Sequence, residues 1–343
     1  MSLTPFLKLI QQGQLVPALE VNALYRPFYK LCYLAGVKNC GLLDALAKGP
    51  LTFGDLTDAD YQDDKAREAM EAWLQLGIRL GLLGLKDDRY FLKGLALKLS
   101  RPENDATLAL AQEVVTLHHK LIVDTPVRLR NKSLWELDDQ DGELTARSSR
   151  ALEAFLADAI NRTFPKSGAA RLLEVGCGSA VYIQYAATRN PSLHALGLEL
   201  QPQVAEVARS NIRQWGLDHR VAIEVSDIRG RAPTPEFDIV TMHNNIYYFP
   251  VEERVSLLAH LRRFLRPEGF LLLTTCCQGG NLGMEVLNLW GAATASGGRL
   301  PSAAEMQKQL AEAGYGSIDT LGLIPGDRFY AFRACASESP PVL

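Results

Sequence analysis

Two kinds of hydrophobic spacing divide the chain. In the first half, apolar residues recur at steps of three and four. Helical periodicity begins at residues 24–36 and continues through CGLLDALAKGP, where Gly49-Pro50 stops it. A second helix is predicted over DDKAREAMEAWLQLGIRLG, with Ala66, Met70, Trp73, Leu74 and Ile78 on one apolar stripe. Next comes LLGLKDDRYFLKG, two short apolar runs around Asp87-Asp88, which is hairpin chemistry. Helix, helix, hairpin is the order of a winged helix. Residues 106–159 stay largely helical in pattern around a polar loop, ELDDQDGELTARSSR. His118, His119 and Trp135 in this stretch are candidates to line a pocket, and ordinary packing accounts for them as well.

From residue 171 short apolar runs alternate with amphipathic helices, the pattern of βα units and a mostly parallel sheet covered on both faces. Seven strands are predicted, over 171–175, 194–198, 221–225, 237–242, 269–275, 315–321 and 328–334. The helix QVAEVARSNIRQW carries Val204, Val207, Ala208, Ile212 and Trp215 on one stripe, and VEERVSLLAHLRRFL carries Val251, Val255, Leu258 and Leu265. The expected fold is α/β, a seven-stranded doubly wound Rossmann-like domain preceded by a mainly α-helical winged-helix domain. The expected boundaries are 1–105, a helical connector at 106–165, and 166–343.

A chain of 343 residues, 47% apolar, has room for two cores. The net charge of −3 provides no basic field for a polyanion. Residues 1–110 hold thirteen Lys and Arg against thirteen Asp and Glu, and the helix that would enter a major groove opens with Asp63-Asp64 and adds Glu68 and Glu71. Nucleic acid is therefore not expected as a partner. Six cysteines without a CxxC pair point to a reducing compartment, and no signal-like leader or long apolar run is visible, so the expectation is a cytoplasmic protein with no membrane partner. The tail from Ser337 to Leu343 reads as frayed.

The sharpest local signal is LLEVGCGSA, residues 172–180: an apolar strand ending near Glu174, then Gly176 and Gly178 opening a helix. Glycines at such a turn let the backbone approach a ligand, and open sheets bind ligands at the carboxyl ends of their strands. A dinucleotide fingerprint would place Gly or Ala where Val181 stands, so a phosphate-free cofactor fits better. Glu199, ending GLEL with Leu200 after it, is placed to accept from ribose hydroxyls. Asp227 in VSDI can accept from an adenine amino group while Ile228 packs on the ring.

With these three elements in register, the second half resembles the class I S-adenosylmethionine-dependent methyltransferases. The chain over roughly residues 20 to 335 resembles the small-molecule O-methyltransferase family with an N-terminal winged-helix dimerisation domain. The resemblance implies S-adenosylmethionine as cofactor and S-adenosylhomocysteine as product, a homodimer interlocked through the first domain, and an acceptor pocket roofed by the connector. Cofactor contacts are then expected from Glu174, Gly176, Gly178, Glu199, Leu200, Asp227, Ile228 and His243.

The chain departs from that family at the base. Phenol-methylating members carry a histidine in a Leu-His-Asp-Trp-Pro stretch, and the matching run here is Ile246-Tyr247-Tyr248-Phe249-Pro250. Tyr247 stands at the base position, and a phenol titrating near ~10 is a poor base at neutral pH. Aromatic faces at 247–249 can instead stabilise positive charge on a carbon acceptor, which puts C- or N-methylation level with O-methylation. His243 and Asn244, with Asn245, sit beside the expected methyl site, where His243 could replace the base and the asparagines could orient the acceptor. No carboxylate follows the fourth strand before Glu252, so no metal is expected. Met284, Leu287, Leu289 and Trp290 are candidate walls for a small, mostly apolar acceptor, or core residues. Two other readings stay open: a nicotinamide-dependent oxidoreductase, and a non-catalytic cofactor-sensing regulator.

Overall fold

Asp87 and Asp88 take φ of 50° and 55°, both left-handed. This is the type I′ geometry that matches a two-residue turn to the twist of its strands, and it joins β2 (Leu83–Lys86) to β3 (Arg89–Leu92). A short β1 (Leu51–Thr52) adds to β3 to complete a three-stranded sheet. The computed structural model describes residues 4–57 and 63–336, and the chain divides into two compact units, 1–119 and 120–343. The connector expected at 106–165 is thus shared between the units. The tail 337–343 and the end of the LTFGDLTDAD stretch lie outside the described residues.

In the first unit, helices α1 (Thr4–Gln11), α2 (Leu15–Asn39), α3 (Leu42–Ala47), α4 (Phe53–Leu56) and α5 (Asp64–Leu80) precede the hairpin, and α6 (Gly94–Leu99) and α7 (Asp105–Glu113) follow it. α2 starts nine residues before the expected point. Its outer half presents Leu19, Leu24, Tyr25 and Phe28 to the exterior, so no single buried stripe marked its beginning. The break after it also comes earlier than Gly49-Pro50, at Gly41, whose φ of 76° ends α2 and turns the chain into α3. Leu34, Val37, Leu43, Leu74, Leu82 and Leu92 form the core, and the Tyr33 ring stacks on Trp73 at 4.5 Å. A π-helical stretch, Val114–His118, carries α7 into α8 (His119–Arg130). His118 lies 4.0 Å from the Glu113 carboxylate, and burial holds its imidazole below the ordinary value.

The second unit holds all but the first residue of α8, and then α9 (Gly142–Ser148) and α10 (Glu153–Thr163). The stretch expected as a polar loop is therefore partly helical: Asp141 caps α9 by accepting from the Leu144 amide at 3.0 Å. Seven strands follow, β4 (Ala170–Val175), β5 (Leu193–Glu199), β6 (Val221–Val225), β7 (Phe237–His243), β8 (Leu265–Cys276), β9 (Ile318–Gly322) and β10 (Phe329–Cys335), in the order β6-β5-β4-β7-β8-β10-β9. β10 alone runs antiparallel to its neighbours, since it is reached from β9 by a short turn with no crossover helix. The helices are α11 (Val181–Arg189), α12 (Pro202–Gln214), α13 (Arg254–Arg262), α14 (Leu282–Ala293) and α15 (Ala303–Glu312). Leu172 joins the core on one sheet face, and Leu173 and Val175 join the other, so both faces are covered, as in a doubly wound sheet. Two strand limits differ from expectation. β8 begins at Leu265, and Tyr315 lies before β9, after a turn at Gly314 (φ 87°), with its buried hydroxyl donating to the Leu258 carbonyl at 3.1 Å.

Candidate active site

β4 pairs with β5 on one side and β7 on the other, and the chain winds outward from it in both directions. Such a switch point leaves a crevice at the carboxyl ends of the strands. A cavity of about 250 Å³ lies there, floored by the turns after β4, β5, β6 and β7.

The turn after β4 depends on its glycines. Gly176 has φ of 66°, and a Cβ on it would lie 2.5 Å from Asn245 Nδ2, which donates to the Val175 carbonyl at 2.6 Å. Gly178 has φ of 53°, and its amide donates to Glu199 Oε2 at 3.0 Å. The other oxygen of Glu199 accepts from the Gln201 amide at 3.0 Å. One carboxylate therefore ties the turn after β4 to the turn after β5, and Glu199 and the half-exposed Leu200 both line the cavity.

Asp227, after β6, lines the cavity and caps a 3₁₀ turn by accepting from the Arg229 amide at 2.9 Å. Its carboxylate also accepts from Arg229 Nη2 at 2.7 Å and Nε at 3.0 Å. These bonds hold the Asp227 carboxyl below the usual range. Ile228 is buried and shares the cavity wall with core packing. Arg229, whose guanidinium lies 5.6 Å from the Phe249 ring centroid, was not singled out from the sequence.

At the end of β7, His243 is buried, with Nδ1 3.0 Å from Thr274 Oγ1 and its ring edge-on to Tyr182 at 5.0 Å. Burial lowers this imidazole to about 3, so it is neutral at physiological pH. Asn244 takes φ of 53°, a left-handed position that asparagine tolerates, and its amide donates to the Thr274 carbonyl at 2.8 Å. Tyr247 is buried on the cavity wall with its ring 4.8 Å from that of Tyr248, whose hydroxyl accepts from Gln140 at 3.5 Å. Glu174 is 1% exposed, and burial pushes its carboxyl up to about 8. Its Oε1, with Tyr182 Oη, His243 Nε2, Asn244 Oδ1 and Asn245 Oδ1, has no hydrogen-bond partner among the described residues.

The roof over this floor comes from Gln140, Gly142, Thr145, Ala146, Ser149 and Arg150, none of which stands out individually in the sequence pattern. Met284, Leu287 and Trp290 do not line the cavity but pack in or against the core from α14. Trp135 is also a packing residue: its indole donates to Thr125 Oγ1 at 2.9 Å, and Arg128 lies 3.7 Å over its ring. Among the described residues no group of three or more His, Cys, Asp or Glu is arranged to hold a metal ion.

Residues 173–271, from β4 through most of β8, match a family described as a methyltransferase domain. Those residues form a methyltransferase domain. A curated relative, the malonyl-[acyl-carrier protein] O-methyltransferase of Paenibacillus sp. (strain JDR-2), is 26% identical over 188 residues, 51% of this chain and 67% of that protein. Among solved structures, the mitomycin 7-O-methyltransferase MmcR superposes with a TM-score of 0.75 at 19% identity, covering 95% of this chain and 99% of that one. Human N-acetylserotonin methyltransferase, solved in complex with SAM, gives 0.71 at 14% identity, covering 94% and 98%. These likenesses extend the shared fold beyond the methyltransferase domain to nearly the whole chain. The cavity suits S-adenosylmethionine: the turn at Gly176 leaves no room for a side chain, a carboxylate is presented at the next strand end, and several buried polar atoms beside it lack partners among the described residues.

Proposed function

We propose that this chain methylates a small, mostly apolar aromatic metabolite, of indole-like or phenolic type, and does so without a histidine base. S-adenosylmethionine, when bound, supplies an electrophilic methyl group on a sulfonium. Gly176 and Gly178 let the backbone approach it, Glu199 accepts from its ribose hydroxyls, Asp227 and Ile228 meet its adenine, and Leu200 covers the ribose edge. Asn244 and the neighbouring Asn245 orient the acceptor from the end of β7.

The observation that carries the reading is the state of the two groups nearest a base role. Tyr247 stands where the family has its histidine, and His243 is buried and lowered to about 3. An imidazole that weakly basic takes up a proton poorly from an acceptor hydroxyl. What the site offers instead is positioning, exclusion of water and the ring faces of Tyr247, Tyr248 and Phe249, which favour charge building up on a carbon or nitrogen acceptor.

The test uses S-adenosylmethionine with a carbon-13 methyl group and a panel of indoles, anilines, phenols and electron-rich alkenes, with product methyl shifts read by NMR. Methyl on carbon or nitrogen is the expected result. Methyl on oxygen alone would contradict a site working without a base.

A homodimer through the first unit belongs to the same reading. Along α2, Leu19, Leu24, Tyr25, Phe28 and Tyr29 are each about half exposed or more, a run of large apolar side chains on one helix that a second copy would cover. The charge balance of residues 1–110 keeps nucleic acid out of the reading, and no helix among the described residues is long and apolar enough to cross a membrane.

A further inference from the structure

Arg254, the first residue of α13, is fully buried at 0% exposure. Among the described residues its hydrogen bonds go to backbone carbonyls and to no carboxylate. Nε donates to the Phe249 carbonyl at 3.1 Å and Nη2 to the Arg299 carbonyl at 2.8 Å, while Nη1 has no partner among those residues. A buried guanidinium without a paired counter-charge is costly, and an apolar side chain of similar volume usually serves a core as well or better. What the arginine adds here is a joint between two segments far apart in the chain. The first is the 3₁₀ turn Ile246–Tyr248 with Phe249 after it, which places Tyr247 and Tyr248 on the cavity wall. The second is the loop after α14, whose Ser296 lines the same cavity.

The joint is made almost entirely of backbone. The Gly298 amide donates to the Tyr247 carbonyl at 3.0 Å, and a Cβ on Gly298 would lie 2.7 Å from Arg254 Nη2 and 2.9 Å from the Phe249 oxygen. The Arg299 side chain is committed to Glu305 at 2.8 Å, which leaves its carbonyl for Arg254. On its other side the loop is held by Trp135, whose amide donates to the Ala293 carbonyl at 2.9 Å and whose carbonyl accepts from the Ala295 amide at 2.8 Å. None of these bonds involves the turns after β4, β5 and β6, where the proposed cofactor contacts lie. We propose that Arg254 is a positioning residue for the methyl acceptor: by holding the Phe249 and Arg299 carbonyls together it fixes the tyrosine turn against the Ser296 loop and so sets the acceptor end of the cavity. Without it two buried carbonyls lose their donor, and the two segments are joined through Gly298 alone.

This inference rests on the proposed acceptor reading, and its test separates the two. Arg254→Met keeps an apolar stem of similar length and removes both bonds, whereas Arg254→Lys keeps the cation but not the fork that reaches two carbonyls. With S-adenosylhomocysteine bound, parent and variants are compared by amide hydrogen exchange and by fluorine NMR of chains carrying 3-fluorotyrosine, in which Tyr247→Phe and Tyr248→Phe assign the two resonances. In Arg254→Met, product affinity should stay within about twofold, exchange over residues 294–300 should quicken about tenfold or more, and the Tyr247 and Tyr248 resonances should move while that of Tyr33 stays. Arg254→Lys should lie between. For panel acceptors that the parent methylates, the acceptor KM should rise about tenfold at an unchanged cofactor KM. An arginine that only stabilises the fold would lower the melting temperature and the active fraction, and leave acceptor KM and tyrosine resonances as they are. That result overturns the proposal, as does loss of product affinity in step with the faster exchange. Should Arg254→Met not fold, Gly298→Ala, which crowds the same joint with the arginine in place, decides by the same measurements. A parent that methylates no panel member overturns the acceptor reading, and the exchange and fluorine spectra then decide whether Arg254 holds the two segments.

Discussion

Glu174 and His243 pull the stability of the ligand-free chain in opposite directions as pH changes. Burial raises Glu174 from 4.5 to about 8, so across that interval the folded chain keeps a proton that the unfolded chain has lost, and stability falls as pH rises. Burial lowers His243 from 6.5 to about 3, so below 6.5 the unfolded chain takes up a proton that the folded chain refuses, and stability falls as pH drops. Each slope is about 1.4 kcal/mol per pH unit. They cancel between 4.5 and 6.5, leaving Glu174 to set the slope from there to about 8 and His243 below 4.5. In thermal unfolding without ligand, Glu174→Gln should melt higher than the parent at pH 8, with the advantage shrinking towards pH 5. His243→Asn should flatten the acid side. A Glu174→Gln difference that is constant with pH would mean the folded chain does not hold that proton.

The short helix α9 forms part of the cavity roof, and it approaches the floor closely at Gly142. A Cβ on Gly142 would collide with the Gln201 side chain, one residue from Leu200 and bonded through its amide to Glu199. The atoms met are the far end of a flexible side chain, which must swing aside at a cost of about 0.5–1.5 kcal/mol. Gly142→Ala is therefore expected to weaken S-adenosylhomocysteine binding by roughly 2- to 10-fold, and Gln201→Ala in the same chain, by removing the obstructing amide, should restore most of it. Unchanged affinity in the single variant would mean the roof and floor are not held together there. α9 also shows where the sequence stops being informative. Its cavity residues, Gly142, Thr145 and Ala146, are small and carry no apolar period, so the stretch read as a loop. The inner strands β4, β7, β8 and β10 were legible because strands buried on both faces appear as apolar runs, whereas the partly exposed edge strands β6 and β9 were legible from their place among the helices. The same rule misplaced Tyr315, a buried aromatic in a turn, and left Met284 and Trp290 open between pocket wall and core, of which the structure shows core. Gly176, Gly178, Glu199 and Asp227 were legible because strand ends and glycine turns fix their positions. Arg229 and Asn245 were not, because each acts through a side chain whose partner is set only by folding: Asp227 for one, the Val175 carbonyl for the other.

For the molecule as a whole, the two units differ in what they leave exposed. The second covers both faces of its central sheet, whereas the first exposes large apolar side chains along α2. If a second copy covers α2, sedimentation velocity should report about twice the 37.8 kDa chain mass, and Leu24→Glu with Phe28→Glu should shift it to the single-chain mass while leaving helix content unchanged. A parent chain that sediments at the single-chain mass at micromolar concentration would exclude the dimer. The claim on which the rest depends is that the switch-point cavity holds the methyl donor through Glu199. Equilibrium dialysis against labelled S-adenosylhomocysteine tests it most directly, without an acceptor. One site per chain is expected, weakened about tenfold or more in Glu199→Gln, where an amide replaces the carboxylate that ties the two turns together. No binding by the parent chain, or binding that Glu199→Gln leaves untouched, would contradict the account.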